Sequence, residues 1–373
     1  MSTIKLAIAT LRKNKGVTQS ELAEYLGVTF QSVSKWENGA TFPDIQLLPK
    51  IAEFFEVSVD EVLGVTQAFN NNYEPRKTSS NEHWSRKIEY LKQTRLDFWN
   101  DDYLEFLVSK VWNIDHPVKV VDYGCGYGFL GMKLLPLLPA GSTYTGVDIS
   151  EVLIKEANLI FSDSKYQVEF IRSDISNFNA SQKYDIAICQ AVLRHVQTPK
   201  EFLNRMTDSV VENGLVICIE VNRAFEVAGM LVEGYAYEPW REIDQLSKLW
   251  NVELENEGRD HSIGLKIPSY MKKIGLKNID VRINDKTSFI NPSDELSKYK
   301  ESMESLRIAK GWNDPESSSR EATTELFKNR GLTKNDADVF MASNRMLRDY
   351  VEQHEDSISI IRTLGMVISY GYK

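Results

Sequence analysis

The sequence predicts a small all-α domain followed by an α/β domain with a parallel, doubly wound sheet and helical cap insertions. Three observations predict it. Residues up to about 64 carry short helical patterns separated by glycines and by Ser, Thr or Asp at cap positions. From about residue 118, five short apolar runs alternate with amphipathic helices. Beyond residue 221 that rhythm gives way to two long helix-patterned stretches, near 224–270 and 293–352. A length of 373 residues favours two or three domains over one.

Composition narrows the function classes. Forty-four Lys and Arg against 53 Asp and Glu give a net charge of −9. That balance excludes a protein that coats nucleic acid or an anionic membrane by bulk charge, and leaves a local basic face open. Cys125, Cys189 and Cys218 each sit inside an apolar run. They form no disulfide framework and have no metal-ligand spacing, so a reducing compartment and no metal are expected. The opening MSTIKLAIATLRKNK is too short and too charged for a signal segment, and no run approaches the roughly 20 apolar residues of a spanning helix. A soluble, cytoplasmic protein with no membrane partner follows as an expectation.

The first domain is expected over residues 1–66. Ile4, Ile8 and Leu11 supply the inward face of a first helix. Thr18 with Glu21 forms a T-x-x-E capping box, opening a helix whose Leu22, Ala23 and Leu26 face inward and which Gly27 ends. Thr29 caps the next helix: Val33 and Trp36 point inward, while Phe30, Gln31, Ser34, Lys35 and Asn38 share the other face. Asp44 and Ser58 cap two more. Two short helices, a glycine turn and an exposed polar face on the second are what a major-groove reader needs. The stretch Gln67 to Glu82, rich in Asn and Ser, breaks every periodicity and reads as a linker, leaving 83–373 for the second domain.

Residues 3–64 resemble the phage-repressor, xenobiotic-response-element type of helix-turn-helix domain, most specifically from Thr18 to Gly39. The resemblance implies double-stranded DNA as a partner and a homodimer reading two half-sites. It places Phe30, Gln31 and Lys35 nearest base edges, and Gln19 and Asn38 at positions that hold phosphates. Gln31 suits base readout because an amide bonds an adenine edge at two points. Residues 1–66 nevertheless hold two more acids than bases, where strong binders are usually basic. Arg12, Lys13, Lys15 and Lys35 are expected to gather on the DNA side, and a protein-contact or dimerisation role stays open.

In the second domain, strands are expected at 118–124, 143–149, 168–174, 184–190 and 214–221, with later ones at 278–284 and at the closing LGMVISYGY. The first strand runs into D-x-G-x-G-x-G, formed by Asp122, Gly124, Gly126 and Gly128 just before a helix. Glycines there let the backbone turn tightly and approach a ligand at the carboxyl edge of the sheet. The second strand ends in Asp148, where a carboxylate can accept two ribose hydroxyls, and the third in Asp174, which can take an adenine amino group. The motif lacks the sixth-position glycine of a dinucleotide fingerprint.

Strand-end acids on three successive strands resemble the class I S-adenosylmethionine methyltransferases over roughly residues 95–223 and again at the closing strand. The resemblance implies a Rossmann-like methyltransferase domain joined to the helix-turn-helix domain, with S-adenosylmethionine as cofactor. Asp122, Gly124, Gly126 and Gly128 would hold its methionine end, Asp148 with Ile149 the ribose, Asp174 with Ile175 the adenine, and Gln190 would face the sulfonium. Arg95, Trp99 and Tyr103 fall on one helical face, and an aromatic ring there would stabilise a sulfonium by cation–π attraction; packing against the sheet explains the rings equally.

Methyl transfer to a small molecule needs an aligned acceptor and, for O or N acceptors, removal of a proton. The stretch CQAVLRHVQTPKEFL is similar to the L-x-H-x-x-x-P segment of ubiquinone-biosynthesis methyltransferases, and its position makes His195 the catalytic candidate. A His that packs or caps the next helix is the alternative. Glu220, Asn222 and, more weakly, His261 are aimed at the same mouth. The chain lacks the Asn or Asp followed by Pro-Pro and an aromatic of DNA amino-methylating enzymes, the Pro-Cys of cytosine C5 enzymes and the paired-Glu loop of protein-arginine enzymes. A small acceptor with an apolar body is therefore expected, with Tyr235, Tyr237 and Trp240 as pocket walls. A transcription regulator whose second domain only senses S-adenosylmethionine or an effector is the alternative function.

Overall fold

The computed structural model describes residues 6–55, 57, 59–64, 85, 87–95, 98–236, 239–313 and 319–373. The expected linker, together with Ile4 and Ser58, lies outside the described residues. The chain divides into two compact units, residues 1–72 and 73–373.

The first unit is helical: α1 (Ile8–Lys15), α2 (Gln19–Leu26), α3 (Phe30–Glu37), α4 (Leu48–Phe55) and α5 (Val59–Val62). The Thr18–Glu21 capping box forms, the Thr29 hydroxyl accepts from Ser32 N–H, and Gly27 ends α2 in the left-handed conformation. Ile8, Leu22, Val33, Trp36, Ile51 and Phe55 share one core.

The second unit is built on a seven-stranded sheet. Its strands are β1 (Lys119–Tyr123), β2 (Thr143–Asp148), β3 (Gln167–Arg172), β4 (Tyr184–Gln190), β5 (Val210–Val221), β7 (Lys277–Ile283) and β10 (Met366–Tyr372), in the order β3-β2-β1-β4-β5-β10-β7. The first five run parallel, and β10 is antiparallel to both β5 and β7. Alternate residues feed two layers. Val120, Ile186 and Ile188 pack with α6 (Ile88–Arg95), α7 (Asp101–Phe106) and α8 (Phe129–Leu134), whereas Val121, Ala187 and Cys189 pack with α10 (Pro199–Ser209) and α13 (Ile267–Lys273). Helix α9 (Glu151–Ile160) follows β2. Period-two alternation with both faces buried makes the sheet doubly wound.

The cap differs from the all-helical insertion expected. α11 (Arg223–Ala228), α12 (Pro239–Glu257), α14 (Leu296–Lys310), α15 (Arg320–Asn329) and α16 (Lys334–Gln353) are accompanied by a small antiparallel sheet of β6 (Met230–Val232), β9 (Ile360–Thr363) and β8 (Thr287–Ile290). Its strands are three or four residues long and come from three distant segments. Ile290, Val232 and Ile360 pack there against Tyr299, Met303 and Val351.

Candidate functional site

The loop from β1 into α8 turns on Gly124, Gly126 and Gly128, all with positive φ. A Cβ at Gly124 would stand 2.5 Å from Val192 Cγ2, and one at Gly128 2.9 Å from Phe161, so those two glycines serve close packing. A Cβ at Gly126 would meet nothing within 4 Å. Here the fold leaves space above the strand ends without needing it for its own packing. Arg95, Asp122, Gly124, Gly126, Tyr127 and Gln190 line this cleft.

Asp122 is buried on β1 and accepts a 2.5 Å hydrogen bond from Tyr144 Oη through Oδ2; Oδ1 has no partner among the described residues. Burial pushes its carboxyl up to about 7, against the Tyr144 bond. Asp148 Oδ2 accepts from Gly126 N–H and Oδ1 from Ser150 N–H, both at 2.9 Å, so this carboxylate first fixes the glycine turn. Burial also raises its pKa. Trp99, 3 % exposed, donates from Nε1 to Gln190 Oε1 at 2.8 Å. Ile149 is exposed beyond β2, and Ile175 packs on the second layer. β3 stops at Arg172, so Asp174 lies in the turn after it rather than at its end, exposed and bonded to Ser176 N–H at 2.8 Å.

Arg95, Trp99 and Tyr103 do not share one helical face. α6 ends at Arg95, Asn100 is the N-cap of α7 in extended conformation, and Asp101 and Asp102 fill the first turn of that new helix. Acidic residues after an Asn favour a fresh helix start over continuation. Arg95 therefore lines the cleft, with its guanidinium 4.2 Å from the Phe98 ring centroid, while Tyr103 Oη donates to Ile283 O on β7. Burial draws the Arg95 pKa down to about 10.

The parallel neighbours β4 and β5 end on the same edge of the sheet. Glu220, fully buried at the end of β5, accepts from Val192 N–H at 2.8 Å and Leu193 N–H at 2.7 Å through Oε1; Oε2 has no partner among the described residues. Burial pushes this carboxyl up to about 7. The turn it holds presents Arg194, 7 % exposed, and His195. Arg194 Nε donates to His195 Nε2 at 2.9 Å, so that ring nitrogen is an acceptor already in use. Burial and the nearby charge of Arg223 draw Arg194 down to about 9. Asn222 caps α11 through Oδ1, and Arg223 pairs with Glu226.

Two acceptor-side expectations resolve into structural roles. His261, 9 % exposed, bonds Glu253 at 2.7 Å and stacks on Trp250, with Arg330 on the other Glu253 oxygen at 3.3 Å. Tyr235 packs against Tyr350 in the cap. Tyr237 and the side chain of Trp240 lie outside the described residues. Arg194, Arg223 and Tyr144 were missed from the sequence. The signal for Arg194 was an arginine inside the apolar run AVLRHV.

On the first unit, Phe30, Gln31, Lys35 and Asn38 are exposed on and just after α3. Gln19 Nε2 donates to Glu37 Oε2 at 2.6 Å, and Arg12 makes a two-point pair with Glu37 at 2.6 and 3.1 Å. Burial alone would raise the Glu37 carboxyl, but the Arg12 and Gln19 bonds hold it below its ordinary value. Arg12 thus belongs to this internal pair and leaves the expected basic face, while Lys15 rests over the Phe54 ring.

A sheet with β10 inserted antiparallel between β5 and β7, a glycine turn after β1 and acids at the ends of β1 and β2 defines the class I methyltransferase fold. Residues 114–266 match the methyltransferase-domain family and residues 8–62 the helix-turn-helix family. The chain is a helix-turn-helix domain joined to an S-adenosylmethionine-dependent methyltransferase. It is similar to ubiquinone biosynthesis O-methyltransferases: that of Rickettsia felis is 24 % identical over 167 residues, covering 40 % of this chain and 67 % of the relative. The mitochondrial enzyme of Schizosaccharomyces pombe is 28 % identical over 142 residues, covering 37 % and 48 %. Among solved structures, phosphoethanolamine N-methyltransferase 2 of Haemonchus contortus superposes with a TM-score of 0.44 at 14 % identity, covering 80 % of this chain and 61 % of that one.

S-adenosylmethionine is the cofactor of this class. The residues present fit it: open space over Gly126, an unpartnered buried Asp122 oxygen and a guanidinium at the cleft wall suit an amino-acid end carrying both an ammonium and a carboxylate. Among the described residues no cluster of His, Cys, Asp and Glu could hold a metal, and no helix is long and apolar enough to cross a membrane.

Proposed function

We propose that the second unit methylates a small molecule at the carboxyl ends of β1, β4 and β5, and that the first unit binds double-stranded DNA as a homodimer. The space over Gly126 carries the first half of this reading: it lies beside an unpartnered Asp122 oxygen, and the fold has no packing use for it. S-adenosylmethionine supplies an activated methyl group when bound. Asp122 and the three glycines hold its methionine end, and Arg95 meets the carboxylate there. Asp148 reaches the ribose with the lone pairs left after bonding Gly126 and Ser150. Asp174 and Ile175 flank the adenine, Ile149 borders the ribose, and Gln190, steadied by Trp99, faces the transferred carbon. His195 keeps its place at the mouth. Because its Nε2 accepts from Arg194, it is a positioning residue in this arrangement rather than the group that takes the acceptor's proton.

For the first unit, exposed Phe30, Gln31 and Lys35 support base readout, with Asn38 beside a phosphate. Gln19 approaches a phosphate through the amide of a side chain already fixed by Glu37. Phe42 and Ile45, 57 % and 78 % exposed beyond α3, are apolar surface that pairing of two copies would cover.

The test is to incubate the protein with cell extract and methyl-labelled S-adenosylmethionine, then separate nucleic acid, protein and small-molecule filtrate. Label in the filtrate supports the reading; label on DNA or protein alone, or on nothing, refutes it.

A further inference from the structure

Among the described residues, the turn after β4 and the start of α11 hold guanidinium groups that neighbouring carboxylates do not all pair. Arg194 is more than nine-tenths buried. Its one hydrogen bond goes from Nε to His195, and among the described residues Nη1 and Nη2 have no partner and no carboxylate oxygen lies within ion-pair distance. Neither terminal nitrogen is fully sealed from solvent. Glu220, the carboxylate whose charge acts on Arg194, spends Oε1 on the Val192 and Leu193 N–H groups. Arg223, at the start of α11, shares the single carboxylate of Glu226 with Arg362, which stands 3.8 Å from it. Among the described residues Arg95 has no ion pair either, and it rests on the Phe98 ring. The charges of Arg223, Arg259 and Arg95 all act on Arg194, and that of Arg223 acts on Arg95, so Arg194 sits in an electropositive neighbourhood in which Arg259 is paired with Glu253 at 3.7 Å.

A buried cation without a partner is costly, and a fold keeps one where a ligand completes it. Arg95 is accounted for by the cofactor's carboxylate, whereas Arg194 is not. S-adenosylmethionine carries a sulfonium and would add no negative charge from that end, so a neutral or cationic acceptor would leave Arg194 uncompensated. The bond from Nε to His195 fixes the plane of the Arg194 guanidinium and leaves its two terminal nitrogens as a fork. That geometry matches two oxygens of a carboxylate or phosphate.

We propose that Arg194, backed by Arg223 and oriented by His195, is the receptor for an anionic group of the methyl acceptor, a carboxylate or a phosphate. The proposal rests on the small-molecule reading above and narrows it, replacing an acceptor with a purely apolar body by one with a charged end.

Two measurements on the full-length protein saturated with S-adenosylhomocysteine test it. In thermal unfolding, inorganic phosphate or benzoate is exchanged for chloride at constant ionic strength. The effective anion raises the wild-type midpoint by about 2 °C or more; Arg194→Gln abolishes the rise and Arg194→Lys keeps part of it. Which of the two anions works separates phosphate from carboxylate. Equal rises in wild type and Arg194→Gln, or none in either, overturn the proposal. In the second measurement, cell extract is split on an anion exchanger before incubation with methyl-labelled cofactor. Label in the retained fraction, lowered about tenfold or more by Arg194→Gln while S-adenosylhomocysteine affinity stays within about twofold, supports it. Label confined to the unretained fraction overturns it. Label in neither fraction, with the Arg194-dependent stabilisation intact, removes the methyl-transfer reading and leaves the anion receptor standing.

Discussion

Glu220 and Leu193 are tied across the ends of two neighbouring parallel strands, the Leu193 N–H donating to Glu220 Oε1 at 2.7 Å. With the parallel bond from Val192 N–H, this carboxylate fixes the turn that carries Arg194 and His195. The arrangement makes Glu220 a positioning residue whose protonation is felt by the whole fold.

A pH dependence follows. The folded pKa of Glu220 is about 7, above its ordinary 4.5, so the folded state binds the proton more tightly than the unfolded state. Its contribution is fully present below about 4.5 and is lost as pH rises towards 7, amounting to at most about 3 kcal/mol. Urea unfolding at pH 5 and pH 8 is expected to show a larger drop in wild type than in Glu220→Gln, which keeps an oxygen acceptor but does not titrate. Parallel pH profiles for the two proteins would remove the assignment. Asp122, also raised to about 7, acts with the same sign.

Trp99→Phe keeps a buried ring and deletes the bond to Gln190. A stability loss of about 0.5 to 1.5 kcal/mol is expected, the net worth of one such hydrogen bond. Weaker S-adenosylhomocysteine binding should accompany it, since Gln190 loses its orientation. Denaturant midpoints and calorimetry read the two effects separately, and unchanged affinity would place Gln190 away from the cofactor.

Asp148→Ala removes the acceptor of Gly126 N–H as well as the proposed ribose contact. Cofactor affinity should fall by about 1.5 to 3 kcal/mol, the range for hydrogen bonds to a charged group. Asp174→Ala acts from an exposed position with one local bond, so its effect should be confined to binding, with denaturation midpoints unchanged.

In the first unit, Gln31→Ala is expected to relax base preference at one position of each half-site without changing stability, because Gln31 is exposed on α3. Glu37→Ala instead strands Arg12 and frees Gln19, costing about 2 to 4 kcal/mol of stability in that unit. Selection from a random duplex pool, scored for a palindrome with half-site centres about 34 Å apart, reads the first effect; recovery of a single asymmetric site would contradict the dimer.

The parallel strands were legible because apolar runs such as VKVVDYG and YDIAICQ are buried on both faces, and the glycine turn because its spacing follows a strand directly. The cap sheet was not: three residues at Met230–Val232 are too few to show a period, and their partners lie more than 50 residues further on. The helix break between Arg95 and Asn100 was hidden because apolar residues continue at helical spacing through it, and the Asn100 cap with its two aspartates is the cue that outranks them. Arg194 was hidden for a different reason: whether an arginine in an apolar run is paired depends on residues far away in sequence, here Glu220, whose Oε1 is taken by the Val192 and Leu193 N–H groups.

The reading of the glycine turn is tested most directly by titrating S-adenosylhomocysteine into wild type and Gly126→Ala in a calorimeter. An alanine there meets no atom within 4 Å, and its positive φ costs about 1 to 2 kcal/mol, so the variant folds. The expected result is saturable one-site binding by wild type and affinity about tenfold or more weaker in the variant, with cooperative unfolding retained. Equal affinity in the two proteins, or no binding by wild type, would contradict it.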